Sequence, residues 1–322
     1  MTTKISFLAD SQFGVFLRSQ AITAGYSPRE IQRRLGAAEW VGVRRGAYAI
    51  ASTWRGMTTT ERHRAMCFAV ATKIGADAAI SHTSAVAMHG LPMWGYDLSE
   101  VHVSKANVSR HSGGVFHHRT AVPPDRIVEI GGIPVTAAPR ALVEAALISP
   151  PEPCVVTMDA ALRDGITTKQ ELVETIDAMR DWPGARNAGR VVSLADGKSE
   201  SLGESRARYA FYLADLPEPR LQYEIHDRRG LLVARVDFLF EEYRTIAEFD
   251  GKVKYTGELT PGTNPTDVLW REKKREDRLR AMGFEIVRIT WADLTDVSAL
   301  GAKVRAAFAR ARGGERVRMA TR

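Results

Sequence analysis

Asp237 stands between Val236 and Phe238 in the run LLVARVDFLF, and eleven positions later Glu248, Asp250 and Lys252 alternate with Ala247, Phe249 and Gly251. An aspartate inside an apolar strand is disfavoured unless a specific interaction offsets the cost. Period-two spacing puts Glu248, Asp250 and Lys252 on one face of one strand. A hairpin between the two strands would bring Asp237 beside them. Acids held that close repel one another and raise each other's pKa, a penalty that a divalent cation removes. Mg2+ (or Mn2+) prefers hard oxygen ligands, usually one or two carboxylates completed by water and substrate phosphate. Such a site can polarise a phosphodiester and lower the pKa of a bound water. An adjacent lysine would orient the nucleophile or stabilise charge developing on the phosphate. The expected chemistry is therefore metal-dependent hydrolysis of a nucleic-acid backbone, with Asp237, Glu248 and Asp250 as metal ligands. Either Glu248 or Asp250 could be the second principal acid, since both lie on the same face. The competing reading is an exposed strand face whose charges pair with Lys252, Lys254 and nearby arginines.

The elements that would position these groups run α, β, β, β, α, β. They are helix ESRARYAFYLADLP, strand LQYEIHD, strand LLVARVDFLF, strand RTIAEFDGKVKY, helix TDVLWREKKREDRLRAMG with Gly283 as its C-cap, and strand FEIVRITWADL. That order implies an α/β core with a central mixed sheet covered by helices. The second helix, residues 268–282, carries six Lys/Arg and three acids. Its i,i+4 pairs, Glu272 with Glu276 and Lys274 with Arg278, are like-charged and mildly unfavourable in a free helix. A solvated face explains them, as would a phosphate backbone beside Lys274 and Arg278.

Residues 10–50 read as two short helices and a hairpin. RSQAITAG ends at Gly25. Ser27, Pro28 and Glu30 form a capping box with an N1 proline for the helix SPREIQRRLGAAEW. WVGVRRGAYAI turns at Arg44-Arg45-Gly46 between β-type residues. Helix, tight turn, basic helix and basic hairpin describe a winged helix-turn-helix. Arg29, Arg33 and Arg34 would enter the major groove of duplex DNA, and Arg44 and Arg45 would touch phosphates from the wing.

Composition agrees with a nucleic-acid partner. The formal charge is +7, with eight Lys/Arg against three Asp/Glu in residues 1–56 and seven against one in residues 301–322. Basic ends around a mildly acidic middle suit a polyanion, although such ends can also serve only solubility. No apolar run reaches membrane-spanning length, and the N-terminus lacks a cleavage-type signal, so a cytoplasmic protein is expected. Cys67 and Cys154 form no local metal pair. His82, His89, His117 and His118 have no metal-ligand spacing and read as packed, hydrogen-bonded residues. Gly197-Lys198-Ser199 is no phosphate loop, because Val192 occupies the position that needs glycine. There is no GxSxG elbow and no HExxH.

Two resemblances follow from these segments. Residues 13–49, with SHTSAVAMHGLP and IPVTAAPRALVEAAL after them, resemble AbiEi-type antitoxins of toxin–antitoxin systems, which are winged-helix transcriptional autoregulators. Asp237 followed by Asp250-Gly251-Lys252 resembles the D…(D/E)xK signature of restriction-endonuclease-like nucleases. SESLGES, VDFLF, AEFDGKVKY and EKKREDRLRAMGFEIVRITWADL together resemble a bacterial group related to very-short-patch-repair endonucleases. This second resemblance adds Glu204, from the leading helix, as a further catalytic candidate. It implies a setting in phage defence or mobile-element biology. The whole chain is then a multidomain α/β protein. A winged helix-turn-helix occupies 1–56, a mixed α/β AbiEi-like middle domain 57–195, and a restriction-endonuclease-like domain 199–300. A basic tail follows at 301–322. The alternative is a non-catalytic regulator that binds operator DNA. A homodimer is compatible with either, and the sequence shows no surface for another protein.

Overall fold

The computed structural model describes residues 4–75, 77–251 and 265–320. It is a mixed α/β chain that divides into two units, Met1–Ala195 and Asp196–Arg322. The division falls in the run ADGKSES, residues 195–201.

In the first unit, α1 (Lys4–Asp10) and β1 (Val15–Leu17) precede α2 (Arg18–Thr23) and α3 (Pro28–Gly36). The expected capping box is present: Ser27 Oγ accepts the Glu30 N–H at 3.2 Å, and Glu30 accepts the Ser27 N–H at 3.0 Å. Strands β2 (Trp40–Arg44) and β3 (Ala47–Ile50) form the hairpin, and β1 joins them in the order β1-β3-β2. Gly46 turns the hairpin at a φ of +79°, open to glycine without strain. Ile5, Phe16, Ile31, Trp40 and Tyr48 close a core beneath these pieces. Neither α1 nor β1 is long enough to show a period in the sequence; packing of Ile5 and Phe16 into this core fixes them.

The chain continues through α4 (Ala51–Gly56), α5 (Thr59–Ala71), β4 (Ala78–Ile80), α6 (His82–Met88), β5 (Val101–Lys105), β6 (Arg110–Ser112) and β7 (Val115–Arg119). Then come β8 (Ile127–Ile130), β9 (Ile133–Thr136), α7 (Ala138–Ile148), α8 (Pro151–Arg163), α9 (Lys169–Ala178) and α10 (Ala185–Leu194). The six strands form one sheet, β6-β7-β5-β4-β9-β8. Helix α5 packs on β1 and β2 of the small sheet and on β4 and β5 of the large one. That shared helix is why 1–56 and 57–195, drawn as separate domains from sequence, cluster as one unit.

The histidines pack tightly here. His82 and His118 stack at 3.6 Å, and His102 Nδ1 lies 2.8 Å from His118 Nε2, so one ring donates and the other accepts. His89 Nε2 meets the Thr136 carbonyl at 2.8 Å. His82, at a φ of +51°, is held by Glu144, which accepts its N–H at 3.3 Å. Cys67 and Cys154 are buried free thiols.

The second unit runs α11 (Leu202–Leu213), β10 (Arg220–His226), β11 (Leu232–Phe240), β12 (Thr245–Asp250), α12 (Pro265–Ala281), β13 (Glu285–Thr290) and α13 (Val297–Ala320). The sheet order is β10-β11-β12-β13; the first two pairings are antiparallel and β12–β13 is parallel. One face packs Phe238, Phe240, Ala247, Val287 and Ile289 against α11 and α13. The other packs Val236, Ile246 and Ile286 against Leu279 of α12. The segment expected as a basic tail from 301 is helical, and its Val304, Ala307 and Phe308 are buried in the core. Apolar residues at i, i+3 and i+4 there escaped notice behind the arginines. Among the described residues, no helix is long and apolar enough to cross a membrane.

Candidate active site

Strands β10 and β11 break their alternation at one point. Leu221 and Tyr223 are two apart yet pack into opposite cores, and so do Val236 and Phe238. Regular pleating puts such residues on one face. Between them stand Gln222, at a φ of +49°, and Asp237, which has no ladder partner on β10. On its other side Asp237 ends the β11–β12 ladder, whose last register pair is Phe238 with Ala247. Its Oδ2 accepts the Phe249 N–H at 2.8 Å instead. The expected specific interaction for an aspartate in VDFLF is thus a backbone hydrogen bond at the point where the strands part.

Continuing the same register sets Asp237 opposite Glu248. Both line a cleft of about 330 Å3 with Asp250, Glu272, Arg235, Arg275 and Arg288. Burial raises the Glu248 carboxyl above its ordinary value, Arg275 opposes that, and the Asp237 charge adds to it. Repulsion by Asp237 therefore reaches Glu248, but burial is the larger effect there.

Two arginines answer the acids. Arg275 Nη2 donates to Glu248 at 2.9 Å. Arg288 Nη2 donates to Glu272 at 2.8 Å and Glu276 at 3.1 Å, and its Nη1 is 4.0 Å from Asp250. The like-charged pairs on α12 therefore do not stand alone: Arg288 bridges Glu272 and Glu276, Arg278 pairs with Asp227 at 2.9 Å, and Lys274 lies over the Trp270 ring. Neither Arg275 nor Arg288 was singled out from sequence. Arg288 was legible by the rule that found Asp237, a charge inside the apolar strand EIVRIT. Arg275 looked like any solvated helix residue.

Glu204 sits at the third position of α11 and is 8% exposed. Its carboxylate accepts from the Glu200 N–H at 2.9 Å, Ser201 Oγ at 2.8 Å and Gln222 Nε2 at 2.8 Å. Burial raises its pKa, and Asp237 contributes to the rise. Glu204 is thus within electrostatic reach of Asp237, but its oxygens hold the Glu200 N–H, the hydroxyl of the N-cap Ser201 and the irregular Gln222. Gly203 beside it is required by contact, because a Cβ there would overlap the Phe249 ring. Lys252 lies outside the described residues.

Asp237 and Glu248 have the donor chemistry of a hard divalent cation, with Asp250 farther along the same strand. The raised Glu248 carboxyl is the kind of penalty such an ion relieves. These two acids fit Mg2+ or Mn2+ as a partial set. Among the described residues, no three His, Cys, Asp or Glu gather as a complete metal-holding group.

The arginines assigned to DNA are differently placed. Arg29, Arg33 and Arg45 are exposed. Arg34 is not free: it pairs with Glu39, and its guanidinium lies 5.1 Å from the Tyr26 ring and 5.4 Å from Trp40. Arg44 Nη1 donates to the Gly113 carbonyl at 3.0 Å.

No family model matches the chain. Two proteins of Mycobacterium tuberculosis, both named uncharacterized and from two strains, are 31% identical over 182 residues, covering 56% of this chain. The chain spans 63% of the length of those relatives. The crystal structure of the RV2827C protein from Mycobacterium tuberculosis aligns with 71% of this chain and 89% of its own, at 13% identity and a TM-score of 0.38. A likeness at that level carries no weight for fold or function.

Proposed function

We propose that this chain binds duplex DNA through its first unit and hydrolyses phosphodiesters in its second, using Mg2+ or Mn2+. The observation that carries the reading is the facing of Asp237 and Glu248 across β11 and β12, just past the end of the ladder between those two strands. Two further features support it: the element order α, β, β, β, α, β around a mixed sheet, and the resemblance of these segments to restriction-endonuclease-like nucleases. In this reading Asp237 and Glu248 hold the ion, assisted by Asp250. The ion, when bound, polarises the phosphodiester and acidifies a water. Arg275, which pairs with Glu248 in this structure, would be free to take a phosphate oxygen as charge develops there if Glu248 held the ion. Lys252, by the same resemblance, assists the nucleophile. In the first unit, α2, α3 and the β2–β3 hairpin act as a winged helix-turn-helix of the AbiEi type. Arg29 and Arg33 approach bases and Arg45 approaches phosphate, with Arg34 structural.

The test is plasmid nicking with Mg2+ or with EDTA, run beside Asp237→Ala and Glu248→Ala. Nicking that needs the metal and both acids supports the reading; no nicking, or equal nicking by the variants, sinks it. The Arg275–Glu248 and Arg288–Asp250 pairings favour a second reading. In it the charges are satisfied internally, and the protein is a non-catalytic regulator at operator DNA. Salt-dependent duplex binding lost in Arg29→Ala/Arg33→Ala, without metal-dependent nicking, would select that reading.

A further inference from the structure

Five basic side chains of the first unit line one cleft of about 280 Å3: Arg44, Lys73, Lys105, Arg110 and His117. They come from the end of β2, the segment after α5, the end of β5, β6 and β7. Among the described residues, no carboxylate lines this cleft. Asp77 pairs with Lys105 at 3.0 Å, which neutralises one of the four permanent cations. Arg44 donates to the Gly113 carbonyl at 3.0 Å, and Lys73 Nζ donates to the Arg45 carbonyl. Neutral carbonyls orient these heads without cancelling their charge. Arg110 is exposed and has no acid partner among the described residues.

A second observation concerns a residue that lines the same cleft. His117 is 8% exposed, and its Nδ1 is buried without a hydrogen-bond partner. Unpaired buried polar atoms are rare and each needs a reason. Its pKa is lowered, first by burial and then by the charges of Arg110, Lys105 and Arg44. Like charges gathered in one concavity with so little compensation are unfavourable unless an anion shares the space.

We infer that this cleft seats a phosphate group, held by Arg44, Lys73, Lys105 and Arg110 with His117 beneath it. Converging donors from four segments suit a tetrahedral oxyanion better than a planar carboxylate, which one arginine fork would satisfy. The cleft is too small to enclose a duplex, and a terminal phosphate offers these cations three free oxygens where a backbone diester offers two, so the ligand is a phosphate monoester. The cleft lies wholly within the first unit and shares no residue with the Asp237–Glu248 site. It goes beyond the nuclease reading, and the two fail separately.

The experiment is calorimetric titration of the full chain with inorganic phosphate, adenosine monophosphate and adenosine. It is paired with imidazole NMR of His117 in the phosphate titration. Saturable binding of phosphate and the monophosphate but not of adenosine is expected. Lys105→Ala and Arg110→Ala should each weaken it about tenfold or more, the usual scale for losing one charge-assisted contact. Asp237→Ala should bind as wild type. The His117 titration should move upward when phosphate binds, because the anion offsets the surrounding cations. A 5′-phosphorylated oligonucleotide beside its 5′-hydroxyl counterpart separates two sources of the same chemistry, a nucleic-acid end and a free nucleotide. No saturation by about 10 mM phosphate, on the weak side of ordinary ligand affinity, would overturn the proposal. So would equal binding by the Lys105→Ala/Arg110→Ala double variant, or equal competition by chloride.

Discussion

Among the described residues, two Glu–Arg pairs have glutamates raised by burial, and they differ in what else reaches the carboxylate. Glu144 is fully buried and saturated: it accepts from Arg140 Nε at 2.7 Å, the His82 N–H at 3.3 Å and Thr136 Oγ1 at 3.4 Å. Its pair closes a core. Glu248 keeps 16% side-chain exposure, opens on a cleft and faces Asp237; Arg275 is its chief counter-charge and Arg288 adds less. A raised pKa alone therefore does not distinguish structure from chemistry. Access and an uncompensated neighbour of like charge make the difference, and they single out the Glu248 site.

The largest expected effect is on catalysis. If the Glu248 site is the reactive one, Asp237→Ala should lower plasmid nicking by about 10²–10⁴-fold, the usual scale for a positioned catalytic group. Its urea midpoint should stay near that of the wild type. A large fall in the midpoint would instead make the Asp237–Phe249 hydrogen bond the residue's main role. Next comes stability at the closed pair. Arg140→Ala should cost about 3–5 kcal/mol in chemical denaturation, because it leaves a buried carboxylate with its principal cation gone. Arg275→Ala should cost less, about 1 kcal/mol, because the cleft lets water reach Glu248 once the arginine is gone. Similar losses at the two sites would erase the contrast. Gly203→Ala should destabilise the second unit by about 1–3 kcal/mol through overlap with Phe249, the scale of overpacking. An unchanged melt would mean that the ring moves aside freely.

The smallest effect is the pH dependence. Glu144 and Glu248 both have folded carboxyls raised above 4.5, so the folded chain holds more protons than the unfolded one just above that value. Their contribution to stability is complete below about 4.5 and declines as pH rises through the folded values. Glu248→Gln should remove part of that decline, seen as a flatter plot of urea midpoint against pH. The acid limb of nicking activity should lie above 4.5 as well, since metal binding needs the ionised carboxylate. A steeper decline in Glu248→Gln would contradict the assignment.

Local signals were strong where a rule concerns neighbours in the chain. Ser27, Pro28 and Glu30 announced α3, and Gly46 announced the β2–β3 turn. Alternation placed Glu248 and Asp250 together, and both line one cleft. Signals failed where the deciding partner is remote. The short strands β1, β4, β6, β8 and β9 are too brief to show a period, and pairing across the sheets creates them. Arg34 looked like a free arginine of a basic helix until Tyr26, Trp40 and Glu39 met it. In the final arginine-rich segment the apolar stripe of Val304, Ala307 and Phe308 is narrow and interrupted by charge, and only the core it meets reveals it.

The sequence by itself determined which residues carry charge inside apolar strands, the order of elements around them, and the caps and turns that start and stop those elements. These follow from propensity, period and side-chain chemistry within a few residues. Only the tertiary structure decided that Glu204 spends its oxygens on the Glu200 N–H, the N-cap Ser201 and Gln222, that Arg275 and Arg288 meet the strand acids, and that Arg44 joins a basic cleft with Lys105 and Arg110. Those outcomes depend on distances between segments far apart in the chain, and a charge declares its partner only after packing has chosen its neighbours.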